Sequence, residues 1–148
     1  FFTRAFAAGI RKVIVMDASR PEQAAVRAYI RALPQPFPIE RADARITALG
    51  GMPLAFCHQD HTNSDAGRVW ILWAAAGTGD AEVEVPCIQE QITTVQVDGT
   101  EAVMRKVNGR LRIHLRGDSK MAPPVLLIDR VAPPDVSAGP HNTSQAYD

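Results

Sequence analysis

The sequence predicts a mainly β protein, an antiparallel β-sandwich of about eight strands, preceded by one helix–strand–helix unit. Three observations lead there. From residue 44 to residue 129 the chain is a series of short apolar or alternating runs separated by turn residues. Two of the separators, Asp98-Gly99 and Asn108-Gly109, are strong two-residue hairpin signals. Before residue 38 a continuous apolar run precedes an amphipathic helical stripe, the order of a parallel α/β sheet.

The first element is a short helix. Phe2 and Phe6 lie four apart and share a face, and Gly9 ends it as a left-handed C-terminal residue. Residues 12–17 (KVIVMD) follow as a strand. Val13, Ile14, Val15 and Met16 are continuously apolar, as expected where both faces are covered. Ser19 is placed to cap a second helix, with Pro21 and Glu22 suited to its first turn. Val26, Tyr29, Ile30 and Leu33 recur at i, i+3, i+4 and i+7, while Arg27 and Arg31 point the other way. Pro34, Pro36 and Pro38 stop this helix and make a stiff connector.

Strands are then predicted over 44–49 and 54–58, divided by Gly50-Gly51-Met52-Pro53, with a polar loop over 59–67. Residues 68–74 (RVWILWA) are apolar on both faces and therefore central. Residues 81–85 alternate, with Val83 and Val85 inward and Glu82 and Glu84 outward. Strands over 92–97, 101–107 and 110–116 follow, joined by the two hairpin turns. In the last of these Leu111, Ile113 and Leu115 face in, and Arg110, Arg112, His114 and Arg116 face out. Residues 124–129 (PVLLID) close the set.

One parallel strand cannot form a sheet alone. With Phe rather than Met at position 1, the chain reads as the tail of a longer protein. Residues 1–38 are the terminal α/β unit and its Pro-rich connector, 39–131 the sandwich, and 132–148 a disordered tail rich in Pro, Gly, Ser and Asn.

Sixteen basic and sixteen acidic residues cancel, so charge points to neither nucleic acid nor an anionic membrane as a partner. No apolar run approaches the ~20 residues of a membrane-crossing helix. Cys57 and Cys87 lack the spacing of a metal pair and read as buried free thiols, with a disulfide as the lesser alternative.

The string "AAGIRKVIVMD … AAVRAYIRAL", followed by "GRVWILWA", "AEVEV", "VQVDGTE", "NGRLRIHL" and "PVLLID", resembles the C-terminal end of bacterial glycoside hydrolases. Those enzymes place a small β-sandwich after a (β/α)8 catalytic barrel. The resemblance covers residues 1–130 and departs from the family at the loop CHQDHTNSD. It implies that the helix–strand–helix unit is the remnant of an α/β barrel. It also implies a secreted or periplasmic parent enzyme, with that barrel as partner in cis.

Glycoside hydrolysis needs two carboxylates flanking the scissile bond. The resemblance puts both on earlier barrel strands, so no catalytic residue is expected in this chain. Asp17, at the C-terminal end of its strand, is the one candidate substrate-binding residue. Its competing role is to help cap the helix that follows. His58, His61, Asp60 and Asp65 crowd together, but a zinc site needs three or four well-placed ligands. A solvated loop is the better reading, and no metal or cofactor is expected. Trp70 and Trp73, three apart on one strand, face opposite sides and cannot form one sugar platform, so at least one belongs to the core. The stripe of Arg110, Arg112, His114 and Arg116 is expected either to pair across strands with Glu82, Glu84 and Glu101 or simply to be solvated.

Two functions fit this reading. One is a non-catalytic accessory module supporting a glycosidase barrel. The other is a free-standing module that binds carbohydrate or protein. An exposed aromatic platform favours the second; an apolar patch towards residues 1–35 favours the first.

Overall fold

The computed structural model describes residues 2–8, 23, 26–27, 39–59, 67–117 and 123–130. They form two facing antiparallel sheets. The larger has six strands in the order β1 (Ile39–Arg41), β3 (Pro53–Gln59), β4 (Arg68–Ala74), β9 (Val125–Asp129), β6 (Gln91–Gln96), β7 (Glu101–Arg105). The smaller has three, in the order β2 (Thr47–Gly50), β5 (Ala81–Val85), β8 (Leu111–Leu115). A 3-10 turn, Asp43–Arg45, joins β1 to β2.

Alternation builds the core between the sheets. Ala55, Cys57, Trp70, Leu72, Ala74, Ile92, Val125 and Leu127 project from the large sheet. They meet Ala81, Val83, Val85, Leu111, Ile113 and Leu115 from the small one. Glu82, Glu84, Arg112 and His114 occupy the intervening positions, so β5 and β8 are solvated on one side only. β4 is interior to its sheet and apolar on both faces. Its other face joins Ile39, Val69, Ile71, Val95 and Leu126 in a second buried cluster, with Phe56, Trp73 and Ile128 partly buried beside it.

The turns follow their residues. Asn108 and Gly109 both take positive φ, 53° and 77°, the conformation of a type I′ turn. Val107 and Arg110 close its neck by exchanging two backbone hydrogen bonds of 2.9 and 3.2 Å. The strands beyond part company at once: β7 pairs with β6, and β8 with β5. What reads in sequence as a second hairpin is therefore a corner between the two layers.

Three expectations are corrected. β1 is a strand at the very start of the sandwich, before the first strand the sequence predicts; it pairs with β3 through Ile39–His58, Glu40–Cys57 and Arg41–Phe56. The strand predicted over 44–49 begins later, after the 3-10 turn. The helix–strand–helix remnant of an α/β barrel is overturned. Every strand pair among the described residues is antiparallel, and no described strand lies between two helices. The helical element is α1 (Phe2–Ala7), six residues long, fewer than two turns. It packs on β1, an edge of the sandwich itself, and buries Thr3 there. Gln23, Val26 and Arg27 have helical backbone, but as isolated described positions they define no element. The strand predicted over 12–17 lies outside the described residues.

Candidate functional site

A cleft of about 450 Å³ opens on the outer face of the large sheet, where α1 meets the β1 end. Among the described residues it is lined by Arg4, Ala7 and Ala8 of α1, Arg41 of β1, Leu54 and Phe56 of β3, and Trp73 of β4. Register explains the meeting. Leu54 lies directly across from Trp73, and Phe56 from Ile71, so Phe56 and Trp73 are diagonal neighbours on one face. Aromatic side chains reach across such a diagonal. The two rings stack with centroids 5.5 Å apart and planes 8° from parallel. Both are half-buried, leaving part of the pair open to the cleft.

The floor is held from below. Arg41 donates through Nε to Asp43 Oδ2. Asp43 Oδ1 in turn accepts the backbone N–H of Ala55 at 2.7 Å, tying the 3-10 turn to β3. The Arg41 guanidinium is thus anchored rather than free to swing. The cleft combines apolar and aromatic walls with two guanidinium groups, and no carboxylate lines it among the described residues. It can bind; it has no described group for general acid or nucleophilic chemistry.

The other candidates fall elsewhere. Asp17 lies outside the described residues, as do Asp60, His61 and Asp65. His58 sits on β3, across from Ile39 and Val69. No group of three His, Cys, Asp or Glu is placed to hold a metal ion among the described residues. Trp70 is fully buried, with the Arg45 guanidinium 5.0 Å over its ring. Trp73 faces the opposite way, as their spacing predicted. Three of the four stripe residues are paired: Arg112 with Glu84 at 3.2 Å, Arg110 with Glu84 at 3.7 Å, and His114 with Asp80, which the sequence had not suggested, at 3.0 Å. Asp80 is held below the usual carboxylate range, first by the Gly117 backbone N–H and then by His114.

Cys57 and Cys87 are free and buried. Burial pushes their thiols up to about 11 and about 12, far from the thiolate form that reacts. Phe56 was missed as a site residue. Its signal was the alternation Leu54–Phe56–His58, which places it on the face opposite Ala55 and Cys57.

No family model, curated protein or solved structure matches this chain. The fold and the cleft define an all-β sandwich module. The resemblance to bacterial glycoside hydrolases, and with it the barrel-fragment reading, is set aside. The strings that carried it are alternating strands and hairpin turns, which any antiparallel sandwich requires. Among the described residues every strand pair is antiparallel and no α/β unit is found.

Proposed function

We propose that the chain is a non-catalytic, carbohydrate-binding β-sandwich module, and that its ligand enters the cleft beside Phe56 and Trp73. The stacked pair is the observation that carries this reading. An aromatic ring has a negative face that attracts the polarised C–H groups on the apolar side of a sugar. Half-exposed aromatics in a concave site with few polar groups are the usual make-up of a small-ligand pocket. Arg4 and Arg41 add the planar donor forks that grip a carboxylate with two parallel hydrogen bonds. That chemistry favours an acidic saccharide, one bearing a uronate, over a neutral one.

The test is calorimetric titration of the purified chain with uronate-containing and neutral oligosaccharides, run beside intrinsic tryptophan fluorescence. Saturable binding of the acidic set, abolished in Trp73→Ala and weakened in Arg4→Ala, supports the reading. Absence of binding across the panel, or binding indifferent to Trp73→Ala, overturns it.

A further inference from the structure

We propose that Asp43 is the positioning residue of the cleft, holding Arg41 so that an acidic ligand is met end-on by the two terminal nitrogens of the guanidinium. This deepens the reading of the cleft as a saccharide site and rests on it. The argument starts from register. Arg41 on β1 lies directly across from Phe56 on β3, and Phe56 is the diagonal neighbour of Trp73 on β4. Cross-strand partners share a face. The three side chains therefore form one row over three adjacent strands, two stacked rings followed by a guanidinium. A sugar resting on the rings has Arg41 at its edge.

Asp43 is fixed from the sheet outward. The ladder of β1 and β3 continues past Arg41 with the Ala42 N–H donating to the Ala55 carbonyl at 2.9 Å. The chain then turns into the 3-10 segment, and Asp43 Oδ1 takes the Ala55 N–H at 2.7 Å in place of a backbone carbonyl. Ala55 is wholly buried, so this donor is part of the rigid core. The second oxygen of the same carboxylate accepts Arg41 Nε. A continuous line of bonds thus runs from the backbone of β3 through Asp43 to the guanidinium.

Two consequences follow for a ligand. With Nε engaged, any fork that includes Nε is closed, and a carboxylate can be gripped only by Nη1 and Nη2. The Arg41 side chain is also 69% exposed, and without this tie it would have to be ordered by the ligand. Ordering it beforehand is worth about two- to tenfold in affinity. Charge acts in the opposite direction, because a carboxylate beside Arg41 repels an anionic ligand. Removing the charge of Asp43 therefore separates the two effects by sign.

The experiment titrates trigalacturonate calorimetrically into the native chain, Asp43→Asn, Arg41→Lys, Arg41→Ala and the Asp43→Asn, Arg41→Ala double variant. Nitrogen-edited proton spectra of the arginine side chains are recorded without ligand. Asp43→Asn keeps one acceptor oxygen for the Ala55 N–H but sets an NH2 group against Nε, so the turn is kept and the tie is lost. The Arg41 Nε–H should be protected from solvent exchange in the native chain and unprotected in Asp43→Asn. Affinity should fall about two- to tenfold in Asp43→Asn although a negative charge has been removed. Arg41→Lys, which keeps the charge and loses both tie and fork, should fall at least as far. Asp43→Asn should cause no further loss in the Arg41→Ala background, since it acts through Arg41. Undiminished binding by Asp43→Asn or Arg41→Lys, or an added loss in the double variant, would overturn this proposal and leave the saccharide reading standing. An unprotected Nε–H in the native chain would overturn it whatever binds. A native chain with a protected Nε–H that takes up no trigalacturonate would overturn the acidic-saccharide reading, and this proposal with it.

Discussion

Asp129 and Ile88, 41 residues apart in sequence, are joined inside the protein. The Ile88 N–H donates to both carboxylate oxygens of Asp129, at 2.9 and 2.8 Å, and the Gln89 N–H adds a bond of 2.8 Å. Asp129 ends β9 and is completely buried. Lys106 holds the same segment from its other side, donating to the Cys87 and Ile88 carbonyls at 3.1 and 3.2 Å and pairing with Glu90 at 3.2 Å. The passage from β5 to β6 is therefore fixed by two side chains of opposite charge, one reading its N–H groups and the other its carbonyls.

Asp129→Ala should cost about 3 kcal/mol, because hydrogen bonds to a charged acceptor are worth roughly 1.5–3 kcal/mol and buried donors would be left unmatched. Asp129→Asn keeps one acceptor oxygen and should cost less. Urea unfolding of the two variants checks the order; equal, negligible losses would show that the segment is not pinned there.

The two tryptophans should differ sharply. Trp70→Ala removes a wholly buried side chain from the inter-sheet core and should cost about 3–5 kcal/mol. Trp73→Ala, half-exposed at the cleft, should cost about 1 kcal/mol. Denaturant midpoints read the difference directly, and similar values would misplace the core.

At acid pH the surface pair of Asp80 and His114 should matter. The Asp80 carboxyl is lowered in the folded state, so its stabilisation is complete above the ordinary carboxylate value and is lost as pH falls through the lower folded one. The same holds for Asp98, lowered by the Thr100 N–H of its turn. Asp80→Asn should lower the neutral plateau of a stability–pH curve measured by thermal melting while leaving its acid end in place, so that the acid limb flattens.

At alkaline pH the sign reverses. The buried thiols are raised from 9.0 to about 11 in Cys57 and about 12 in Cys87. Above pH 9 the unfolded chain loses thiol protons that the folded chain keeps, so stability should decline from there to about pH 12, Cys57 contributing up to about 11 and Cys87 up to about 12. Native thiols should resist a disulfide reagent near neutral pH and react only after unfolding. Rapid native reaction would contradict their burial.

Much of the sandwich was legible because period-two alternation is a local property. Val83, Val85, Leu111, Ile113 and Leu115 declare an inward face without knowledge of their neighbours. Alternation names a face but not a partner, so the parting of β7 and β8 after Asn108-Gly109 could not be read. β1 was hidden because three residues after Pro38 are too few to show a period. The N-terminal expectation went wrong for a related reason. A helical stripe beside an apolar run fits a parallel sheet, but nothing local states whether that sheet exists. The cleft needed the diagonal of Phe56 and Trp73, which depends on the register of β3 against β4. Sequence placed Trp73 on its own side of the strand and left its companion unseen.

The corner at Asn108-Gly109 links the phases of the two layers. Its neck is closed by a pair of hydrogen bonds, leaving no slack between the last residue of one sheet and the first of the other. A single inserted residue would shift β8 by one position and turn Leu111, Ile113 and Leu115 towards solvent. Arg112 and His114 would then face the hydrocarbon interior. Insertions of two should survive where insertions of one do not, giving variation in this stretch an even–odd signature.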